Sequence, residues 1–241
     1  VEMSEVATSD ISTFFYELPG TTTKYVTYAG FVRNHVEQEV ETTLDETSSD
    51  LTTRLSRKTR FDRHAFVFGE QTSNSAVPKT GTATFNGNMI ASMVNNPAYD
   101  TGNDTYFQWI RGTATVDVDF AASSFKTTLD GTTLTPFYDK RPILTSDVSG
   151  IAYDASSIPA GAIFKALGGG RVDLVNVGGF AGTFSSASFN YGNVTNNVDI
   201  VGSTIDGAFY GPKATEVGAS FRIVGGIPDQ RVDIIGSFTG K

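Results

Sequence analysis

The chain has 241 residues, with 26 acidic against 18 basic side chains, a formal net charge of −8 and no cysteine. That balance argues against nucleic-acid binding, which needs Lys and Arg to neutralise phosphate, and against electrostatic docking to anionic lipid. Without cysteine there is no disulfide, thiolate nucleophile or thiolate metal ligand in this stretch, and no apolar run approaches the roughly 20 residues of a membrane span.

Twenty-five glycines, 12% aromatic residues and frequent Thr, Val and Ser favour an all-β protein with many turns. Residues 1 to 24 depart from this pattern. Ile11, Phe14, Phe15 and Leu18 have the spacing of a short helix, with Ser9 or Asp10 as its cap and Pro19-Gly20 as its end. Such a segment reads either as a packing lid or as a mobile gate over a ligand. No amino-terminal signal peptide is visible.

From Lys24 to Leu44 the pattern alternates. Val32, Val36 and Val40 share one face; Phe31, Arg33, His35, Glu37, Glu39 and Glu41 share the other. Asp45 to Asp50 is a polar turn, and Leu51 to Phe68 returns as a second long strand. One arm is rich in Glu and the other carries Arg54, Arg57, Lys58, Arg60 and Arg63. Cross-strand pairs of opposite charge contribute a few tenths to about 1 kcal/mol each. Gln71 to Lys79 reads as a linker. The expected division is a smaller β-rich amino-terminal domain, 1–77, followed by an eight-stranded antiparallel β-barrel domain, 78–241.

The second part is a series of short strands. Gly81 to Gly87 is expected to close at Asn86-Gly87. Tyr106 to Phe120 alternates clearly, and Phe125 to Leu129 is expected to turn at Asp130-Gly131 into Thr132 to Phe137. Further strands are expected over Ile143 to Tyr153, Gly170 to Val177, Gly179 to Asn190, Asn197 to Val201 and Arg231 to Phe238. Ile205 to Ile223 reads as strand, Gly211-Pro212 turn, strand, with Phe209, Gly211 and Phe221 near a barrel seam. Gly168-Gly169-Gly170 lacks the Lys-Ser/Thr continuation of a phosphate loop.

The run GAFYGPKATEVGASF, Gly207 to Phe221, resembles the signature Gly-x-Phe-Tyr-Gly-Pro-x-Ala-x-Glu-Val-Gly-Gly-x-Phe of the transferrin-binding protein B family. That family also includes factor H binding protein and the haemophilins. Ala219 stands where the second glycine is usual. Phe66 to Gly87, the GTATVDVDF run and Ile234 to Lys241 also resemble family strands, together covering about two-thirds of the chain. The resemblance implies an eight-stranded barrel preceded by a "handle" β domain. It also implies a Gram-negative protein, extracellular or on the outer-membrane surface, that binds haem or a host or environmental iron-carrier protein. Several members deliver cargo to an outer-membrane receptor. Many are tethered through an amino-terminal Cys that this chain does not contain, and a monomer is expected. The signature is structural, so ligand identity does not travel with it.

No nucleophile-base-carboxylate set is legible, so an enzyme is not expected. His64 shares a strand face with Phe66 and Phe68. An imidazole beside aromatic walls is what haem-iron ligation requires; the alternative is a half-buried histidine bonded to a backbone carbonyl. His35 is the second candidate ligand, and Tyr25, Tyr28, Tyr99 and Tyr106 are phenolate alternatives. Pro97 to Trp109 offers Tyr99, Tyr106, Phe107 and Trp109 as a recognition loop, although Trp109 also fits the start of a core strand. Two other readings stand beside haem or iron-carrier capture. One is a protein-protein interaction or adhesion module without cofactor. The other is a small apolar-ligand barrel, which needs an open, dry interior.

Overall fold

A computed structural model describes residues 2–44, 51–96, 106–136, 158–228 and 230–241. Within them there is no helix, so none long and apolar enough to cross a membrane. The first sheet contains β1 (Glu2–Tyr16), β2 (Val26–Leu44) and β3 (Leu51–Gly69), in that order and antiparallel. The long β2/β3 hairpin follows the alternation of the sequence: Val32, Val36 and Val40 are buried together with Asn34 and Gln38. Its register is unbroken from Val26 opposite Gly69 to Leu44 opposite Leu51. It sets Glu37 opposite Lys58 and Glu41 opposite Arg54.

The segment expected to be a helix is strand β1, paired with β2 from Glu2 opposite Thr43 to Tyr16 opposite Ala29. Ile11, Phe14, Phe15 and Leu18 mimic helical spacing, but neighbouring strand residues point to opposite faces. Phe14 contacts Phe31 on the outer face, whereas Phe15 reaches Trp109 on the inner face. Pairing with β2 runs the full length of β1 and satisfies the backbone groups on that edge, whereas a short isolated helix is marginal without tertiary support.

The second sheet contains β4 (Thr82–Asn96), β5 (Tyr106–Asp119), β6 (Ser124–Thr133), β7 (Ile163–Asp173) and β8 (Gly179–Tyr191). It continues with β9 (Val194–Asn197), β10 (Asp199–Tyr210), β11 (Glu216–Ile227) and β12 (Gln230–Gly240). β4 to β8 follow one another, β10 to β12 return to β4, and β10 pairs back onto β8. The ring therefore closes as an eight-stranded antiparallel barrel, with β9 as a short extra strand on β8. The closing seam is brief: Ile205, Asp206 and Gly207 face Gly182, Ala181 and Phe180.

Two expected turns are strand interior instead. Asn86-Gly87 lies within β4, and Asp130-Gly131 within β6, where Thr113 and Lys165 flank Asp130. A Cβ on Gly131 would fall 2.5 Å from the Met89 side chain and 2.9 Å from that of Ile110. The glycine is there to make room for interior packing, and packing overrides the local turn signal. The strand expected over Gly170 to Val177 begins upstream at Ile163 and ends at Asp173. That expected over Ile143 to Tyr153 lies outside the described residues.

The barrel is filled. Phe164, Phe180, Phe189, Phe209 and Phe238 are fully buried with Met89, Met93, Ile110 and Leu129, and Val77 from the linker joins them. An eight-stranded barrel has an interior just wide enough for its own side chains. The open-interior reading is thereby excluded among the described residues.

Candidate ligand-binding cleft at the sheet–barrel junction

The first sheet lies against the outer faces of β11, β12 and β4, and two of the contacts between them stand out. The first is aromatic. Phe61 stacks on Phe107 at 5.4 Å, Phe107 meets Trp109 edge-on at 5.0 Å, and Trp109 meets Phe15 edge-on at 5.3 Å. The second is a buried carboxylate. Glu216 is 4% exposed, and its oxygens accept the backbone N–H groups of Lys24 (2.7 Å), Tyr25 (2.7 Å) and Val26 (3.2 Å). The start of β2 is thus tied to the start of β11. Gly211, with φ of 73°, lets the turn before β11 pack under the Tyr25 ring, where a Cβ would lie 2.4 Å from it.

Strand register then decides which side chains share the outer face. Phe14, Phe31 and His64 form one row across the sheet, and Tyr16, Ala29 and Phe66 the next. Phe68 follows opposite Thr27. His64 is exposed and stacks on Phe31, with centroids 4.8 Å apart and planes 26° apart. Among the described residues no hydrogen bond engages either of its ring nitrogens. Phe66 and Phe68, 6.0 Å apart, are about half exposed, and Phe14, Tyr16 and Leu18 are 75%, 68% and 64% exposed. The small Ala29 stands between Tyr16 and Phe66 in the row next to the imidazole.

His64 also borders a cleft of about 440 Å³ that wraps the free edge of β3. Phe31 and Phe61 supply its aromatic walls, and Arg33, Asp62, Arg63, Arg222 and Asp233 its charges. The ion pairs there are specific. Arg63, with its side chain only 5% exposed, donates to the backbone oxygens of Ser92 and Asp233, both at 2.9 Å, and to the Asp233 carboxylate at 3.1 Å. Arg222 grips the same carboxylate through Nε (3.1 Å) and Nη2 (2.8 Å). Burial pulls Arg63 below the usual arginine value, opposed by Asp233, while the hydrogen bond to Asp233 pushes Arg222 up. Arg60 holds Asp62 through two bonds of 3.1 Å and keeps its carboxyl below the usual range.

The remaining candidates are placed as follows. His35 is on the same outer face as His64, two rows further along β2, with Nδ1 2.9 Å from Asp10 Oδ1. Hydrogen bonds from Arg33, first, and His35 hold Asp10 below the usual carboxylate range. Tyr106 is buried in β5, and Trp109 is half-buried between sheet and barrel. Residues 97–105, including Tyr99, lie outside the described residues. Of the other phenols, Tyr28 is pushed up to about 12 by burial and then by Glu17, which disfavours a phenolate ligand. Tyr25 packs at the joint against Gly211. No group of three His, Asp or Glu side chains among the described residues is arranged to hold a metal ion.

Sequence reasoning missed Arg222, Asp233 and the joining role of Glu216. Glu216 is 190 to 192 residues from its partners, and no local pattern carries such a pairing. The one available signal was its place within the Gly207–Phe221 motif.

No protein-family model matches the chain, and no curated protein matches it. Among solved structures it is similar to a double mutant of the vaccine antigen Transferrin Binding Protein B from Haemophilus parasuis Hp5. That match has 16% identity and a TM-score of 0.39, and covers 97% of this chain and 37% of the other. A single mutant of the same antigen matches at 15% identity and a TM-score of 0.42, with the same coverage. Intact Ap-TbpB, with its N and C lobes, matches at 15% identity and a TM-score of 0.36, covering 95% of this chain and 38% of the other. The chain thus spans little more than a third of the length of the structures it matches.

Proposed function

We propose that this chain is a binding protein of the Gram-negative cell surface or its surroundings, which captures haem and presents it to an outer-membrane receptor. The observation that carries the reading is His64: an exposed imidazole, free of hydrogen bonds among the described residues, on an aromatic face and at the mouth of an arginine-lined cleft. These residues fit the group. His64 supplies an iron ligand, Phe66, Phe68 and Tyr16 an apolar seat, and the arginines a cationic rim. Haem itself supplies the iron that an uptake system would carry. The test is titration with haemin, read as a shift and sharpening of the Soret band. The wild type is expected to shift it and His64→Ala to abolish the shift. An unshifted wild type, or an unchanged His64→Ala spectrum, refutes the ligand assignment.

A second reading is capture of a macromolecule, such as an iron-carrier protein, without cofactor. It is favoured by the exposure of Phe14, Tyr16 and Leu18 on one face, since exposed aromatics mark interfaces. Binding of purified candidate carriers that is lost in Phe14→Glu, while haemin titration stays silent, would select it.

A further inference from the structure

The charges around the cleft do not balance, and the imbalance sits at one residue. Arg33 is paired with Asp10 at 3.0 Å, a carboxylate that also meets His35 Nδ1 at 2.9 Å, and Arg60 is paired with Asp62 at 3.1 Å, so each of these guanidinium groups has a carboxylate of its own. Asp233, however, is shared by two guanidinium groups, Arg63 at 3.1 Å and Arg222 at 2.8 Å. Arg63 is the committed partner. It is buried, and its donors reach two backbone oxygens besides the carboxylate. Arg222 is the exposed one: it holds both Asp233 oxygens, but its side chain is 54% exposed in the cleft wall. Two of its N–H groups are used on Asp233; a guanidinium carries five. Among the described residues the cleft therefore holds a surplus positive charge with unused donors, in a chain whose net charge is −8.

We propose that Arg222 binds a carboxylate on the edge of the ligand seated at His64, so that the cleft selects planar aromatic ligands bearing a carboxylate. A second carboxylate turns a two-to-one cluster into alternating pairs, Arg63–Asp233–Arg222–ligand, without moving a buried group. The planar fork of arginine suits carboxylate recognition better than a point charge does. The apolar seat and the cation then read opposite parts of one molecule, its flat face and its acidic edge. This inference rests on the haem reading for the identity of the seat, but Arg222 acts on the ligand's edge and not on its metal.

The experiment separates the two. Haemin, haemin dimethyl ester and metal-free protoporphyrin IX are each titrated into wild type, Arg222→Gln and His64→Ala, at low and high salt. Arg222→Gln leaves Arg63 and Asp233 paired one to one, so its fold is expected to survive, with an unchanged melting curve as the check. The wild type is expected to prefer haemin over the diester by about 10- to 100-fold, the scale of one charge-assisted pair. Arg222→Gln is expected to erase that preference and its salt dependence while keeping the Soret position. Equal binding of acid and ester by the wild type, or a preference that survives Arg222→Gln, overturns the proposal and leaves haem capture standing. If haemin gives no Soret shift yet protoporphyrin IX binds in an Arg222-dependent way, iron ligation fails and the carboxylate site stands. If no porphyrin binds, both fall.

Discussion

Replacing Glu216 by Ala tests whether one carboxylate joins the two sheets. The side chain is 4% exposed and accepts three backbone N–H groups at 2.7, 2.7 and 3.2 Å. Hydrogen bonds to a charged acceptor contribute about 1.5–3 kcal/mol each, which sets the ceiling. Lys24 is exposed, so water can reach its freed N–H, but Val26 is 2% exposed and its N–H cannot be rehydrated in place. The expected loss is about 3–5 kcal/mol, a large part of the roughly 5–15 kcal/mol that stabilises a typical domain. For a chain of this size that is a fall in melting temperature of roughly 6–20 °C. Glu216→Gln keeps the volume but turns an amide NH2 towards N–H donors, so it too should destabilise, by about 2–3 kcal/mol. Trp109 is the only tryptophan and sits between Phe15 of the first sheet and Phe107 of the barrel, so its fluorescence reports on this joint. Urea unfolding followed by that emission gives the energy, and amide exchange gives the place. Residues 24–26 should lose protection while β5 and β6 keep theirs. A loss below about 1 kcal/mol, smaller than one such bond, or unchanged exchange at 24–26, refutes the clamp.

Other outcomes follow from the same coordinates. Phe209 is 1% exposed and contacts Phe85, Phe120 and Phe180. Phe209→Ala should cost about 3–5 kcal/mol by opening a cavity, and a urea midpoint close to wild type would contradict the filled barrel. Tyr28 has a folded-state pKa raised from 10.0 to about 12. Its contribution is full below pH 10 and lost as pH rises through about 12, because the unfolded chain releases that proton first. Spectrophotometric titration should show one phenol ionising last in the wild type and missing in Tyr28→Phe. If the wild type and Tyr28→Phe titrate alike above pH 11, the burial argument fails.

Much of the fold was legible because a half-buried strand writes its two faces into alternate residues. Val32, Val36 and Val40 marked the buried side of β2, and His64, Phe66 and Phe68 a shared exposed side of β3. The motif from Gly207 to Phe221 carried the strand–turn–strand that became β10 and β11. Where local signals misled, a long-range contact had overruled them. The helical spacing of Phe14, Phe15 and Leu18 gave way to pairing with β2, and the hairpin dipeptide at Asp130-Gly131 gave way to interior packing against Met89 and Ile110.

The sequence by itself determined that this is an all-β chain with a long charged hairpin, a closed barrel and a histidine on an aromatic face. These are properties of periodicity and composition, which act between near neighbours. Only the tertiary structure decided what His64 sits beside. Arg63 and Asp233 are 170 residues apart, and the Arg222 that completes their cluster lies on another strand. The cleft exists because Glu216 and the Phe61–Phe107–Trp109–Phe15 stack hold one sheet against the other. Charge balance within it depends on distances of about 3 Å between distant residues, and no one-dimensional pattern encodes such distances.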